Sequence, residues 1–136
     1  MVSLYQFANA ITLSQKIYLK KQHKLVELYE IEDDLYKMQL YKDYVPAPYI
    51  KDEEIEKAFL DHYHLEKEKK QFNESDDFDL AFDHYIHDYS RCMLGFTMYE
   101  LYWDFQYAYL KPIVVKWLEQ NKIPYEDDLG KVICHF

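Results

Sequence analysis

The 136-residue chain carries 25 acidic residues against 16 lysines and arginines, for a formal net charge of −9, and 49% of its residues are hydrophobic. This apolar content excludes a disordered chain, and the presence of only two glycines disfavours a protein built from tight β-hairpins. The negative charge repels the nucleic-acid backbone, so that binding there would need a local basic patch, and it favours a basic partner.

The first predicted helix covers residues 3–23. Apolar residues recur along it at helical spacing: Leu4, Phe7, Ala8, Ile11 and Tyr18. Its second half and the residue after it are basic, with four lysines and no acid before Glu27: Lys16, Lys20, Lys21 and Lys24. Such a helix can lie on an anionic membrane, but its modest apolar face without tryptophan favours packing in a core instead.

The N-terminal residues are typical of neither a signal peptide nor a membrane span. They have no charged leading region, and Gln6, Asn9 and Thr12 interrupt the apolar run. Two cysteines without a motif, Cys92 and Cys134, do not form a secreted disulfide framework. We therefore expect a cytoplasmic protein that does not insert into membranes.

A second helix is predicted over residues 24–43, where apolar residues again step by three and four positions. It must end near Tyr44, because Pro46 and Pro48 disfavour helical geometry in the residues before them.

The third helix is predicted to begin with Asp52 as its N-cap and to fray in the charged run at residues 66–70. The acids that follow the cap favour the positive end of the helix dipole: Glu53, Glu54 and Glu56.

The fourth helix is predicted to be long, covering about residues 77–110, with Ser75 as the best N-cap candidate. Its apolar residues alternate in steps of four and three, and this stripe, which includes Tyr85, Tyr89 and Tyr99, is expected to face the core. A straight helix of this length would extend roughly 50 Å, which exceeds a compact domain of this size. We therefore expect a bend, either in the region of Ser90–Gly95 or at Pro112.

A fifth helix is predicted to start at Pro112, which suits a first helical position, and to end near residue 120. Residues 122–136 are expected to form a short irregular tail. These elements together predict an all-α fold, a single-domain bundle of four or five helices covering residues 1–136.

One group of side chains has the spacing of metal ligands. The i, i+4 spacing on a helix brings Asp83 to His87 and His84 to Asp88. The His87–Asp88 pair also resembles the His–Asp pair of metal-dependent phosphohydrolases, which implies an enzyme that uses His84, His87 and Asp88. The chain is too short for that family and lacks its spaced upstream histidine, and ordinary surface pairing explains the same spacing, so we expect no metal and no other cofactor.

Other catalytic devices have no support in the sequence. None of the serines lies in a glycine-rich elbow, and two glycines cannot build a phosphate-cradling loop. Cys92 falls on the apolar stripe, where a buried thiol is inert. These observations favour a protein that is not an enzyme.

The acidic residues are concentrated in two stretches. Residues 27–34 contain five acids and no base, and residues 74–104 contain eight acids against one base, Arg91. Fifteen tyrosines are interleaved along the chain. Because tyrosine is enriched at interface hot spots and carboxylates steer basic partners, the pattern predicts a protein-binding surface. Its expected residues are Asp33, Asp34, Tyr36, Tyr44, Asp76, Asp77, Asp79, Asp83 and Tyr85.

In character, this surface resembles the small acidic immunity proteins that neutralise basic nuclease toxins, and equally the acidic proteins that mimic nucleic acid. Either resemblance implies inhibition by occlusion of a basic protein, such as a toxin domain or a nucleic-acid-processing enzyme, without direct contact to nucleic acid. The phosphohydrolase-like enzyme is one alternative. A structural protein that associates with copies of itself, such as a homodimer, is another.

Overall fold

The computed structural model describes residues 1–29 and 44–129, and within these residues it contains both helices and strands. The helices are α1 (Leu4–Ala10), α2 (Asp52–His62), α3 (Glu66–Asn73), α4 (Phe78–Ile86) and α5 (Met98–Gln120). The strands are β1 (Val2–Ser3), β2 (Lys16–Leu19), β3 (Lys24–Glu27), β4 (Tyr44–Pro46), β5 (Cys92–Met93), β6 (Phe96–Thr97) and β7 (Tyr125–Glu126). The fold is therefore mixed α and β, and the prediction of an all-α bundle is wrong.

The described chain divides into two compact units. The first unit comprises Met1–Ile50 and Lys111–Leu129, as far as these are described, and the second comprises Lys51–Leu110. The division falls within α5, which contributes residues to both units.

The first unit contains a three-stranded antiparallel sheet in the order β3-β2-β4. Tyr18 in β2 lies opposite Leu25 of β3 on one side and opposite Val45 of β4 on the other. The predicted helix over residues 3–23 is wrong after Ala10, since Ile17, Tyr18 and Leu19 form a buried strand. A short continuous apolar run fits a buried strand as well as a helix, so periodicity alone does not separate the two.

The pairing of β2 with β3 gives one lysine of the basic N-terminal stretch an acidic partner. Lys16 and Glu27 lie opposite each other in the sheet, and the Lys16 Nζ atom is 2.9 Å from the Glu27 Oε1 atom. Hydrogen bonds donated by Ser14 and Lys16 lower the pKa of the Glu27 carboxyl. The predicted second helix is likewise wrong over Lys24–Glu27, which is β3, and residues 30–43 lie outside the described part of the chain.

Trp117 of α5 joins several elements of the first unit. Its ring lies 5.3 Å from the ring of Phe7 and 6.1 Å from that of Tyr18, and its indole N–H donates a hydrogen bond to the Pro46 carbonyl. The buried apolar side chains of this unit come from α1 and the residue after it, from β2, and from the second part of α5 and the segment after it: Leu4, Phe7, Ala8, Ile11, Ile17, Tyr18, Leu19, Val114, Leu118 and Ile123.

The second unit contains α2, α3, α4, the β5–β6 hairpin and the first part of α5. Phe59 lies at the centre of its core, with T-shaped ring contacts at centroid distances of 5.1 to 5.8 Å. The contacting rings are Tyr63, Phe82, Tyr102 and Phe105. The charged run at residues 66–70 is not a frayed tail, because it belongs to α3.

The predicted long helix over about residues 77–110 is wrong as a single element. The helix ends at Ile86, and the β5–β6 hairpin follows, with Leu94 and Gly95 at φ values of 57° and 82°. Two successive residues with positive φ make a tight turn that no helix accommodates, and this turn falls within the suspected bend region.

The fifth helix does not start at Pro112, because α5 runs through this proline to Gln120. An interior proline loses a hydrogen bond and costs about 3 kcal/mol, so the helix must be held by packing on either side of it. Leu110, Val114 and Leu118 supply that packing at steps of four residues, and all three are fully buried. No helix in the described ranges is both long enough and apolar enough to cross a membrane.

Candidate functional site

The predicted partner-binding residues are not all placed together. Asp33, Asp34 and Tyr36 lie outside the described residues. Tyr44 is exposed at the start of β4 and belongs to the first unit. The other predicted residues belong to the second unit: Asp76, Asp77, Asp79, Asp83 and Tyr85.

An acidic pocket in the second unit brings three of these residues together. It has a volume of about 340 Å³ and lies where α3 ends and α4 begins, facing the first turn of α2. Its lining residues are Glu53, Phe72, Asn73, Ser75, Asp76, Asp77, Phe78 and Asp79. Four of them carry a carboxyl group, and no lysine, arginine or histidine of the described chain is among them. We call this feature the acidic pocket.

One lysine lies at the border of the acidic pocket. The Lys57 Nζ atom is 3.0 Å from the Glu53 Oε1 atom and 5.2 Å from the centre of the Phe78 ring. Both Lys57 and Glu53 are partly exposed, and such an i, i+4 pair contributes only about 0.3–0.5 kcal/mol. The lysine therefore neutralises one of the four carboxylates weakly and leaves the pocket negative.

Asp77 positions the first turn of α4 at the pocket. It is the N-cap residue, and its Oδ1 atom accepts a hydrogen bond of 3.2 Å from the Leu80 N–H. The prediction of Ser75 as the N-cap is wrong, because the Ser75 hydroxyl donates instead to the Phe72 carbonyl at the end of α3. Both residues are good N-caps, so the sequence signal located the helix start without selecting the residue.

We expect Asp77→Ala to lower the free energy of unfolding by about 1 kcal/mol, because α4 loses its capping acceptor. Asp77→Ser keeps an acceptor oxygen and should change stability by only a few tenths of a kcal/mol. Chemical denaturation of both variants measures the difference. Equal stability of the two variants would contradict the capping role.

Behind the acidic pocket lies a buried carboxyl group that the sequence did not single out. Glu56 of α2 is only 7% exposed, and its side chain is hydrogen-bonded to Asp79. Its Oε1 atom has no hydrogen-bond partner within the described residues. Burial, the hydrogen bond with Asp79 and the nearby acids raise the pKa of Glu56 to about 10, so the group holds its proton at neutral pH.

The acids around Glu56 also change the pKa values of neighbouring groups. Desolvation and the charge of Asp79 raise the pKa of Asp52. Burial raises the pKa of Tyr102 strongly, and the acids Glu56, Asp52 and Asp79 add to the effect. The cluster therefore includes acids from α2 and α4 next to a tyrosine of α5.

Asp83 and Tyr85 lie elsewhere on α4 and do not line the acidic pocket. The Asp83 Oδ1 atom is 3.3 Å from the His87 Nδ1 atom, in the i, i+4 pair that the sequence predicted. Tyr85 is half-buried, and the Arg91 guanidinium lies 4.9 Å above its ring. Arg91 therefore already occupies one face of the tyrosine that was predicted to anchor a partner.

The predicted metal candidates do not converge. Asp88 accepts hydrogen bonds at Oδ1 from Ser90 and at Oδ2 from Arg91, and those from Ser90 are the main cause of its lowered pKa. His84 is exposed, and His87 follows the end of α4. Nowhere in residues 1–29 and 44–129 do three His, Cys, Asp or Glu side chains lie close enough to hold a metal ion.

A ridge of aromatic side chains starts at Tyr89, before β5, and continues along α5. Successive rings from Tyr89 through Tyr99 and Trp103 to Tyr107 lie 5.8 to 6.1 Å apart. Tyr89 is 60% exposed and Trp103 is 38% exposed, although Tyr89 was predicted to face the core. The buried face of the first part of α5 is formed instead by Met98, Leu101, Tyr102, Phe105 and Ala108. We call the series Tyr89, Tyr99, Trp103 and Tyr107 the aromatic ridge; Tyr99 and Tyr107 are half-buried.

Tyr89 was placed wrongly because α4 ends at Ile86, before it. Along α5 itself, two apolar series run at the same spacing. Tyr99, Trp103 and Tyr107 step by four, and so do Leu101 and Phe105. Periodicity indicates that one face is buried but does not select between two such series.

No protein-family model matches this chain, and neither a curated protein nor a solved structure is significantly similar to it.

Proposed function

We propose that this chain is a non-enzymatic binding protein that inhibits a basic partner protein by covering the partner's basic surface. The observation that carries the proposal is the acidic pocket, whose described lining contains four carboxyl side chains and no basic side chain, with Lys57 paired to one of the four. Like charges placed together repel each other, and a positively charged group between them removes that repulsion. The pocket therefore offers a favourable electrostatic interaction to a lysine or arginine side chain of a partner.

The charge of the pocket also acts at a distance. Three of its four acidic residues, Asp76, Asp77 and Asp79, belong to residues 74–104, which contain eight acids and one arginine. A field of one sign speeds the encounter with an oppositely charged protein and disfavours acidic proteins and nucleic acid. This supports a partner such as a toxin domain or a nucleic-acid-processing enzyme in the cytoplasm.

The aromatic ridge supplies the second component of such an interface. Tyrosine and tryptophan contribute most of the binding energy at many protein interfaces, because they bury a large area at low entropy cost. Trp103 and Tyr89 are already exposed, and they replace Tyr85 as anchor candidates in the second unit. Arginine side chains of a basic partner also stack favourably on such rings.

The test compares three baits in affinity capture from source cells. The pocket variant combines Asp76→Asn with Asp77→Ser, which removes two charges while the serine keeps the N-cap acceptor. The control variant combines Asp61→Asn with Glu66→Gln, which removes two charges from exposed positions of the same unit that do not line the pocket.

We expect the native chain and the control variant to retain the same basic protein, and the pocket variant to retain about tenfold less of it, a loss of about 1.4 kcal/mol. The activity of the captured protein should fall when the native chain is added. Equal retention by all three baits, an acidic captured protein or capture of only a second copy of this chain would each contradict the proposal.

A further inference from the structure

A second pocket, in the first unit, combines an apolar interior with a basic border. Its volume is about 310 Å³, at the lower end of the range of about 300–1,000 Å³ that is typical of small-molecule sites. Its apolar lining comes from α1, β2 and β3 and includes Phe7, Ala10, Tyr18 and Leu25. No aspartate or glutamate of the described residues lines it. We call this feature the apolar pocket.

The interior of the apolar pocket is formed by two buried aromatic rings. Phe7 is 2% exposed and Tyr18 is 3% exposed. The Trp117 ring contacts both of them, and its hydrogen bond to the Pro46 carbonyl fixes it in turn. Because core packing already holds these rings in place, the pocket is preformed, as ligand sites usually are.

The Tyr18 hydroxyl is a hydrogen-bonding group without a partner among the described residues. Desolvation is the one cause that raises its pKa, and no hydrogen bond contributes. The hydroxyl is not sealed in the interior, because among the described side chains the Glu56 Oε1 atom alone is both fully enclosed and unpartnered. The Tyr18 hydroxyl therefore reaches open space, and the apolar pocket is the open space that Tyr18 lines.

The border of the apolar pocket is basic. Lys24 at the start of β3 and His23 in the turn before it both line the pocket and are exposed. Neither of them makes an ion pair with any residue of the ranges 1–29 and 44–129. An ammonium group and a hydroxyl donor beside an apolar interior are complementary to an anionic group that is attached to an apolar body.

We propose that the apolar pocket binds a small organic carboxylate with an apolar body, either aliphatic or aromatic. The body packs against the Phe7 and Tyr18 rings, and the carboxylate accepts hydrogen bonds from the Tyr18 hydroxyl and the Lys24 ammonium group. A carboxylate fits better than a phosphate monoester, which carries a charge of about −1.5 to −2, because Lys24 is the one permanently charged side chain in the described lining. This site goes beyond the proposed inhibition and belongs to the other unit.

The experiment is an NMR titration of the full chain at neutral pH with two pairs of small molecules. Octanoate is compared with 1-octanol, and 2-naphthoate with 2-naphthol, so that each pair keeps the apolar body and differs in the charged group. The two pairs distinguish an aliphatic from an aromatic body. Tyr18→Phe removes the hydroxyl but keeps the ring, and Lys24→Gln removes the charge. Lys20→Gln is the matched control, since Lys20 is an exposed lysine of the same unit that does not line the pocket.

We expect at least one of the two acids to cause saturable amide shifts centred on Phe7, Ala10, Tyr18 and Leu25, and its uncharged analogue to bind about tenfold more weakly. The affinity for that acid should fall about tenfold in Tyr18→Phe, which loses a hydrogen bond to a charged group. It should fall about threefold in Lys24→Gln, because an exposed ammonium group contributes less. In Lys20→Gln it should not change.

Three results would each overturn the inference. The first is that neither acid causes saturable shifts at the residues of the apolar pocket. The second is that acid and uncharged analogue bind equally well in both pairs, since the pocket would then select an apolar body alone. The third is an affinity that is the same in the native chain, Tyr18→Phe and Lys24→Gln, or that falls equally in Lys20→Gln and Lys24→Gln, as attraction by the general charge of the stretch predicts.

Discussion

Replacing Phe59 with alanine is expected to lower the free energy of unfolding of the second unit by about 3–5 kcal/mol. Phe59 is fully buried, and its ring makes T-shaped contacts with four other aromatic rings, from the residue after α2, from α4 and from α5. The substitution removes both the transfer free energy of the ring and these contacts, and it leaves a cavity that a rigid aromatic cluster does not fill. Urea denaturation followed by circular dichroism measures the change.

A matched control separates this effect from a general loss of apolar area. Leu80 lies on α4 in the same unit but is 53% exposed, so Leu80→Ala should change the stability by no more than about 0.5 kcal/mol. If the two alanine variants lose similar amounts, Phe59 is not the centre of the core.

Replacing Glu56 with glutamine is expected to stabilise the protein at neutral pH by about 1–3 kcal/mol. In the unfolded chain Glu56 titrates near its ordinary pKa of 4.5, whereas burial and the hydrogen bond with Asp79 raise the folded-state pKa to about 10. Folding at neutral pH therefore requires the uptake of a proton, which is unfavourable. Glutamine needs no proton and fills the same space.

The sign of the pH dependence follows from the raised pKa. The contribution of Glu56 to stability is fully present below about pH 4.5 and is lost progressively as the pH rises from there towards about 10. The stability difference between Glu56→Gln and the native chain should therefore be small near pH 4 and grow steadily to pH 8, as measured by thermal or urea unfolding. A difference that stays constant over this range would show that Glu56 is not a buried neutral acid.

The sequence located several helices of the second unit but not the fold class. The Asn73–Asp77 segment signals a helix start, and α4 does begin at its end, because both Ser75 and Asp77 are capable N-caps. The strands were missed because residues 16–19 form a short apolar run whose pairing with β3 and β4 depends on residues distant in the sequence. Local propensity is overridden by such tertiary pairing.

The sequence predicted only part of the candidate site, because the rest depends on contacts between residues distant in the sequence. Asp76, Asp77 and Asp79 were selected by local charge density, and the structure brings them together with Glu53 from another helix. Glu56 was grouped with Glu53 and Glu54 as acids that favour the positive end of the helix dipole, although its position three residues before Phe59 places it near the buried face. A charged residue is ordinarily expected to be exposed. The burial of this carboxyl group becomes visible only in the structure, where α4 and α5 pack against α2.

The central claim is that the acidic pocket is the contact surface for a basic partner, and an NMR titration tests it most directly. Amide spectra of the full chain are recorded as hexa-lysine is added, at low and at high salt. We predict that saturable shifts are largest for Phe72 to Asp79 and Glu53, and that they disappear at high salt and in the Asp76→Asn, Asp77→Ser variant. Shifts of equal size throughout the chain, or shifts that survive in this variant, would contradict the account.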